Sequence, residues 1–274
     1  AMIKQIAKER EFTEARTKLV QANVMLKRKK FEEAKQLIRD AAALEPDNIN
    51  ISFAAISLLS ADPDAGPEKA LALLDKLEGR SGDNLRLRAT RAQLLRAAQP
   101  EDVAEQLEAL AEGIDSWTPA EQAELFATIS AQFEGLRQLD KAREYLQRTI
   151  KLMPDSLPAR VRLFEIAFQE HNVDQMRKAE ESILEIVKDK EDGNYIHSVV
   201  RRLMWEYTQQ KVLKEELVDA RTKLDAVLKR RPQWAELHIL YGQLLLVLEQ
   251  DQEIALQHLE DALKYGPPNA NALA

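Results

Sequence analysis

Residues 31–46 read FEEAKQLIRDAAALEP, and this stretch returns in altered form along the chain. The further copies are LDKAREYLQRTIKLMP at 139–154, LVDARTKLDAVLKRRP at 217–232 and QEIALQHLEDALKYGP at 252–267. In each copy an alanine is followed four residues later by an apolar residue and twelve residues later by a proline. Coincidences of this kind indicate an internal repeat, which must be recognised before any other feature of the fold is interpreted.

Weaker copies fill the gaps between these four stretches. Ala70 and Ala104 take the alanine position in two of them, and Met176 takes it in a third. The anchor positions are then 34, 70, 104, 142, 176, 220 and 255, at intervals of 36, 34, 38, 34, 44 and 35 residues. A unit of about 34 residues with small insertions explains every interval. The longest interval predicts an extended helix or loop around Gln209 to Glu216.

Each unit is expected to be a pair of amphipathic helices. Apolar residues recur three and four positions apart, which places them in one stripe on a helix; in the first copy these are Ala34, Leu37, Ile38, Ala41 and Leu44. Proline ends the second helix because it lacks an amide proton and disfavours helical geometry in the preceding residue. No single hairpin buries both of its faces, so stability must come from stacking on neighbours.

The repeat resembles that of the tetratricopeptide repeat (TPR) family over roughly residues 15–268. The first unit matches the family at Ala22, Phe31, Ala34, Ala41 and Pro46, and the last has Tyr241-Gly242 where the family has a Leu-Gly pair. The resemblance implies an all-α fold, a right-handed α-solenoid (superhelix) of about seven stacked helix-turn-helix repeats.

The chain is expected to be one solenoid domain over residues 1–274. Its repeats are placed at roughly 15–48, 49–84, 85–118, 119–156, 157–192, 193–234 and 235–268. Some positions depart from the family pattern: bulky Ile56, Phe126 and Phe164 replace a small residue, and Glu108 and Glu180 occupy usually apolar sites. The repeats that contain these residues are expected to pack less regularly.

Helix starts and chain ends also carry signals. Thr118, Pro119 and Glu121 are typical of a capped helix start, as is Ser156, and either Asp47 or Asn48 is expected to cap another helix. Residues 2–14 are expected to be helical and to run on into the first repeat. No polar capping helix follows Gly266-Pro267-Pro268, so we expect the sequence to be part of a longer protein.

Composition narrows the classes of function. The formal net charge is −7, whereas nucleic-acid-binding domains usually carry a basic excess, so we expect no nucleic-acid partner. The sequence has no cysteine, which excludes disulfides and thiolate metal sites. No stretch approaches the apolar length of a transmembrane helix, and none is predicted.

The sequence shows no arrangement of residues typical of catalysis. His171, His197, His238 and His258 are scattered, and none has another histidine three or four residues away, so no metal ligand is predicted. The glycines form no phosphate-binding motif, and spacing singles out no acid-base pair. We therefore expect neither enzyme activity nor a cofactor.

In the TPR family, ligands lie in the concave groove lined by the first helix of each repeat. The resemblance implies groove-facing residues at Asn23, Arg86, Gln93, Arg162, Glu165, Arg201 and Gln243. The three arginines suit an acidic or carboxylate-bearing peptide, because guanidinium groups pair with carboxylates in bidentate fashion. The same arginines are also compatible with solvated or inter-repeat contacts.

The leading functional hypothesis is a protein-interaction scaffold that binds a peptide or a partner domain. One alternative is a self-assembly or spacer segment of a larger protein, with homo-oligomers formed through terminal repeats; exposure of Leu240, Leu246 and Val247 would favour it. A weaker alternative is a nucleic-acid or polysaccharide-binding solenoid, which the acidic composition opposes. Trp117 and Trp234 fall at junctions between repeats, where they either pack across the joint or anchor a partner.

Overall fold

The structure, a computed structural model, describes residues 12–266, and this part of the chain forms fourteen helices and no strand. The chain divides into two compact units, residues 1–145 (unit 1) and 146–274 (unit 2). Unit 1 contains α1 (Glu14–Lys27), α2 (Phe31–Leu44), α3 (Ile49–Ala61), α4 (Pro67–Ser81), α5 (Leu85–Ala98), α6 (Val103–Ala109), α7 (Pro119–Gly135) and the start of α8 (Leu139–Leu152). Unit 2 contains the end of α8, α9 (Leu157–Gln169), α10 (Val173–Val187), α11 (Gly193–Thr208), α12 (Lys214–Arg230), α13 (Ala235–Val247) and α14 (Gln252–Tyr265).

Within each unit the helices pair into hairpins that pack against the next hairpin along the chain. In unit 1, α1 packs on α2 and α2 contacts α3; in unit 2, α11 packs on α12 and both contact α13. This is the stacking of a helical-repeat protein, so the predicted all-α solenoid class is confirmed. The single-domain reading over 1–274, with the repeat boundaries given above, stays a prediction.

The residues at the anchor position of the repeat are buried. Ala34, Ala70, Ala142 and Ala255 are all 0% exposed, and Met176, which takes the same position in another repeat, is also 0% exposed. All five therefore belong to the core. The sequence pattern therefore identified core positions correctly.

Helix starts follow the predicted capping pattern. The Thr118 hydroxyl accepts a hydrogen bond from the Glu121 amide at 3.3 Å, and the Glu121 carboxylate accepts one from the Thr118 amide at 3.0 Å. Ser156 caps α9, and Asn48 rather than Asp47 caps α3. These local signals were readable because each joins residues only two or three positions apart.

The helix predicted over residues 2–14 does not run on into the first repeat, so that part of the prediction is wrong. Helix α1 begins at Glu14, and Thr13 lies in an extended conformation whose hydroxyl accepts the Arg16 amide at 3.2 Å. This cap fixes the start of α1 at Glu14. Residues 2–11 of the predicted helix lie outside the described residues, as do Pro267, Pro268 and the residues after them.

The third hairpin, formed by α5 and α6, departs from the regular pattern. This agrees with the prediction from Glu108, which occupies a usually apolar position of the repeat. The second helix of the hairpin, α6, has only seven residues, and the chain then turns through Gly113, whose φ is +66°. Glu108 points away from the core toward Lys141 of α8, with 2.7 Å between carboxylate and amine. Leu110 and Ile114 remain buried although they lie outside a helix.

The extra residues of the 44-residue interval, between Met176 and Ala220, lie partly in helices and partly in a loop. Helix α11 has 16 residues and α12 has 17, compared with 13 in α9 and 15 in α10. Residues 209–213 connect α11 to α12. The predicted extension is thus present, and it lengthens both helices of one hairpin.

Trp234 packs across the junction between two hairpins. A Cβ added at Gly193, the first residue of α11, would overlap the Trp234 ring and would lie 3.1 Å from Val227. Only a glycine leaves room for the indole at this point, so Trp234 has the joint-packing role that the sequence suggested for it.

We expect Gly193→Ala to lower the free energy of unfolding by about 1–3 kcal/mol, because the methyl group overpacks the Trp234 contact. Gly79→Ala is the matched control, since nothing lies within 4 Å of its added Cβ and alanine favours the helix interior. Urea unfolding followed by circular dichroism measures both. A Gly193→Ala protein as stable as the parent would contradict this account of the joint.

Candidate partner-binding surface

Three of the predicted groove residues form a row across the first helices of unit 2. Helix α9 contacts α11, and α11 contacts α13, so these helices lie side by side. Glu165, Arg201 and Gln243 are each the ninth residue of their helix. The repeat therefore places these three residues in register, and we call them the central row.

Arg201 is held in place from two sides. Its guanidinium forms an ion pair with Glu165 on the neighbouring helix and lies 4.1 Å from the centre of the Phe168 ring. The side chains of Arg201 and Glu165 remain 23% and 30% exposed. The guanidinium is thus pre-oriented and partly desolvated, yet solvent or a ligand still reaches it.

His197 lies one helical turn before Arg201 on α11. Burial, together with the positive charge of Arg201, lowers the pKa of His197 to about 4. The imidazole is therefore neutral near pH 7. Because its pKa depends on the local charge, His197 reports on any anion that approaches Arg201.

Of the predicted groove residues in unit 2, only Arg162 lies outside the central row. Arg162 is half-buried on α9, one turn before Glu165. Gln243 is exposed next to Gly242, where an added Cβ would come within 2.9 Å of the Ala255 carbonyl. Gly242 thus permits the close approach of α13 and α14.

Asn23, Arg86 and Gln93 belong to unit 1. All three are exposed, with Asn23 on α1 and the other two on α5. Arg86 donates to the Asn50 side-chain oxygen at 2.8 Å, and its guanidinium lies 3.7 Å from the centre of the Phe53 ring. In both units, then, a predicted groove arginine contacts the preceding first helix, and the surface that it presents is set by that contact.

A second set of polar contacts was missed from sequence. Basic residues near the start of first helices reach the second helix of the same hairpin, or the residue that follows it, 22 residues later. Lys18 contacts Asp40 at 3.3 Å, Arg88 donates to the Leu110 carbonyl at 2.7 Å, and Arg160 donates to the Ser182 hydroxyl at 2.9 Å. The sequence signal that could have revealed these contacts is a basic residue at the fourth or fifth position of a first helix.

In the last hairpin this position holds His238, and the structure brings it to His258. Their Nδ1 atoms are 2.9 Å apart, and the other ring nitrogen of His238 is 3.0 Å from the Pro232 carbonyl oxygen. Burial and the neighbouring His238 lower the pKa of His258. Sequence spacing could not reveal this pair because its members lie on different helices. Across residues 12–266 no three His, Asp or Glu side chains form a group suited to a metal ion.

A buried ion network joins α10 to α11. The Arg202 guanidinium donates to Glu180 at 2.7 Å and pairs with Glu206, whose carboxylate also accepts from Arg177 at 2.8 Å. The side chains of Arg202, Glu180 and Glu206 are 8%, 7% and 5% exposed. Burial raises the pKa of Glu180 against the opposing effect of Arg202. Glu180 at an apolar repeat position is thus compensated by a charge on the next helix.

We expect Arg202→Met to lower the free energy of unfolding by about 3–5 kcal/mol, because it leaves two buried carboxylates without their shared cation. Arg80→Met is the matched control: the side chains of Arg80 and its partner Asp47 are 64% and 95% exposed, and loss of such a pair costs under about 1 kcal/mol. Urea unfolding of the two variants makes the comparison. Equal losses would show that the network does not depend on the buried guanidinium.

The last hairpin exposes some of the apolar side chains whose exposure would favour self-assembly. Leu246 is 49% exposed and Val247 is half-buried, whereas Leu240 is buried and gives that alternative no support. Leu240 is 3% exposed because it faces the core formed with α12. Helix α14 adds exposed apolar residues that the sequence analysis did not single out: Ile254, Leu256 and Leu263.

No helix among the described residues is long and apolar enough to cross a membrane. No family model and no curated protein matches the sequence.

Solved structures do resemble the fold. A tetratricopeptide repeat protein from Parabacteroides merdae is similar with a TM-score of 0.56 and 14% identity, over 95% of this chain and 96% of that one. The C-terminal part of a TPR repeat-containing protein from Cytophaga hutchinsonii is similar with a TM-score of 0.50 and 12% identity, over 93% of this chain and 98% of that one. At these identities the similarity is one of fold alone. It agrees with the repeat motifs in the sequence, and we conclude that this chain has a tetratricopeptide-repeat-like fold.

Proposed function

We propose that the chain is a non-catalytic protein-interaction scaffold, and that unit 2 binds a peptide segment of a partner across the central row. The TPR-like fold supports the general role. The observation that carries the specific site is Arg201, which is fixed by Glu165 and Phe168 yet remains partly exposed on adjacent first helices. The acidic net charge of the chain favours a protein over a nucleic acid as partner.

The spacing of the helices suits an extended peptide. Packed helices lie about 8–10 Å apart, which is close to the rise of three residues, about 9 Å, in a peptide with the extended polyproline II conformation. Side chains three positions apart lie on one face of such a peptide and would meet Glu165, Arg201 and Gln243 in turn. The peptide class that this surface fits best has a carboxylate at the middle position, opposite Arg201.

The Glu165–Arg201 pair sets how such a carboxylate binds. A ligand carboxylate either shares the guanidinium with Glu165 or displaces it, and Glu165 repels the ligand in both cases. Glu165 therefore acts against affinity while it keeps Arg201 oriented. In unit 1, Asn23, Arg86 and Gln93 remain candidates for a contact of the same kind.

We expect randomised seven-residue peptides with a central glutamate to bind more tightly than matched peptides with a central glutamine. Arg201→Gln should weaken binding of the glutamate peptides about tenfold, which is typical for loss of a charge-assisted hydrogen bond. Glu165→Gln should strengthen it, because a repulsive charge is removed. Fluorescence anisotropy measures the affinities.

Lys178→Gln is the control, since it makes the same charge change on an exposed position of the second helix α10. NMR titration gives an independent readout: a carboxylate bound beside Arg201 should raise the pKa of His197 above its value of about 4. If glutamate and glutamine peptides bind equally, or if Arg201→Gln and Lys178→Gln behave alike, the central row is not the binding site.

The second candidate is self-assembly through the last hairpin, favoured by the exposed apolar side chains of Leu246, Ile254, Leu256 and Leu263. For that role we expect the mass from light scattering to rise with concentration and to return to the monomer value in Leu256→Glu. Lys264→Glu, at another exposed position of α14, is the control. A monomer at all concentrations excludes this role for the chain.

A further inference from the structure

The hairpin that contains the inserted residues encloses a cleft. A cavity of about 650 Å³ lies between α11 and α12, entirely within unit 2. Cavities of about 300–1,000 Å³ with mainly apolar walls are typical of sites for small molecules. The central row plays no part in this cavity, because its lining residues include none of the row's three members.

The cleft has an apolar floor. On α11 it is lined by Ile196 and Val200, which are 3% and 1% exposed, and by the half-buried Val199 and Leu203. Ala220 lines it from α12. The floor is thus the outer side of the core of unit 2, and a chain of methylene groups placed there would leave water for an apolar surface.

The length of the cleft follows from the helices. Its α11 wall extends from Tyr195 to Leu203, about 12 Å at 1.5 Å per residue, and its α12 wall extends from Glu216 to Arg230, about 21 Å. The lining residues of α11 recur at intervals of one, three and four, so they form one continuous face. The cavity is therefore elongated along the hairpin, which suits a linear ligand.

Some charged groups at the rim of the cleft already have a partner, and others do not. Arg230 pairs with Glu191 at 3.1 Å, and the Glu216 carboxylate accepts the Leu213 amide at 3.2 Å. Lys190 and Lys223 make no ion pair among the described residues. Asp219 also lines the rim, at the end near Leu203. The uncommitted charges are thus two lysines and one aspartate; Lys190 lies at one end of the cleft, and Lys223 lies midway along its α12 wall.

We propose that this cleft binds a small amphiphile with one linear apolar chain and an anionic head group. The head group lies between Lys190 and Lys223, and the chain runs along Val199 and Val200 toward Leu203. The anion meets cations that have no other ion pair, and the chain covers the apolar floor. This site is separate from the central row and does not depend on the proposed function.

The probe for this site is dodecanoate below its micelle concentration, measured by isothermal titration calorimetry. We expect dodecanoate to bind with a stoichiometry of one, and dodecyltrimethylammonium, with the same chain and the opposite charge, to bind at least tenfold more weakly. The double variant Lys190→Gln/Lys223→Gln should weaken dodecanoate binding about tenfold, through loss of charge-assisted contacts. Lys178→Gln/Lys214→Gln makes the same charge change away from the cleft and should leave binding unchanged.

Filling the cleft tests its location. We expect Val199→Trp to abolish dodecanoate binding, with circular dichroism showing that helicity is retained. If Val199→Trp does not fold, Ala226→Phe at the exposed rim serves instead. Peptide binding at the central row should persist in either variant, so failure at one site is distinguishable from failure at the other.

The outcomes that overturn the proposal are specific. Absence of dodecanoate binding, equal binding of both head groups, or binding that persists in the cavity-filled variant would each exclude an anionic amphiphile in this cleft. Displacement of dodecanoate by the central-row peptides would assign the cavity to a protein partner instead.

Discussion

The architecture depends on one packing constraint: a two-helix hairpin has more apolar surface than its own two helices bury. Stability therefore comes from the next hairpin, and the contact is close only where side chains are small. Ala34, Ala70, Ala142 and Ala255 are small core residues of this kind and are 0% exposed. Gly193 leaves room for Trp234 at a joint between two hairpins, and Gly242 lets the helices of the last hairpin approach, since an added Cβ would meet Trp234 at the first position or the backbone of α14 at the second.

Stacking also determines where polar groups find partners. Since consecutive first helices lie side by side, residues one repeat apart meet, as Glu165 and Arg201 do, and Arg96 and Gln132 in unit 1. Within a hairpin the equivalent separation is 22 residues, as for Arg160 and Ser182. Burial raises the cost of an unpaired charge, so Glu180 persists in the core only because Arg202 accompanies it.

The repeat also places the two candidate ligand sites of unit 2. Repetition aligns the ninth residues of α9, α11 and α13 into a row that an extended peptide can cross. The elongated cleft lies between α11 and α12, the two helices of the hairpin that contains the extra residues. One candidate site thus crosses successive hairpins, and the other lies within a single hairpin.

The sequence alone determined the repeat length, the hairpin architecture, the buried alanines and the caps at Thr118 and Ser156. The buried alanines and the caps depend on residues within one helix or one turn, where spacing fixes geometry, and the repeat length follows from the recurrence of the same pattern along the chain. The tertiary structure alone decided which of the seven predicted groove residues are neighbours, that Glu180 meets Arg202, that His238 meets His258, and that Leu240 is buried. Those contacts join residues of different helices, and their distances depend on how the helices are packed, which no local pattern specifies.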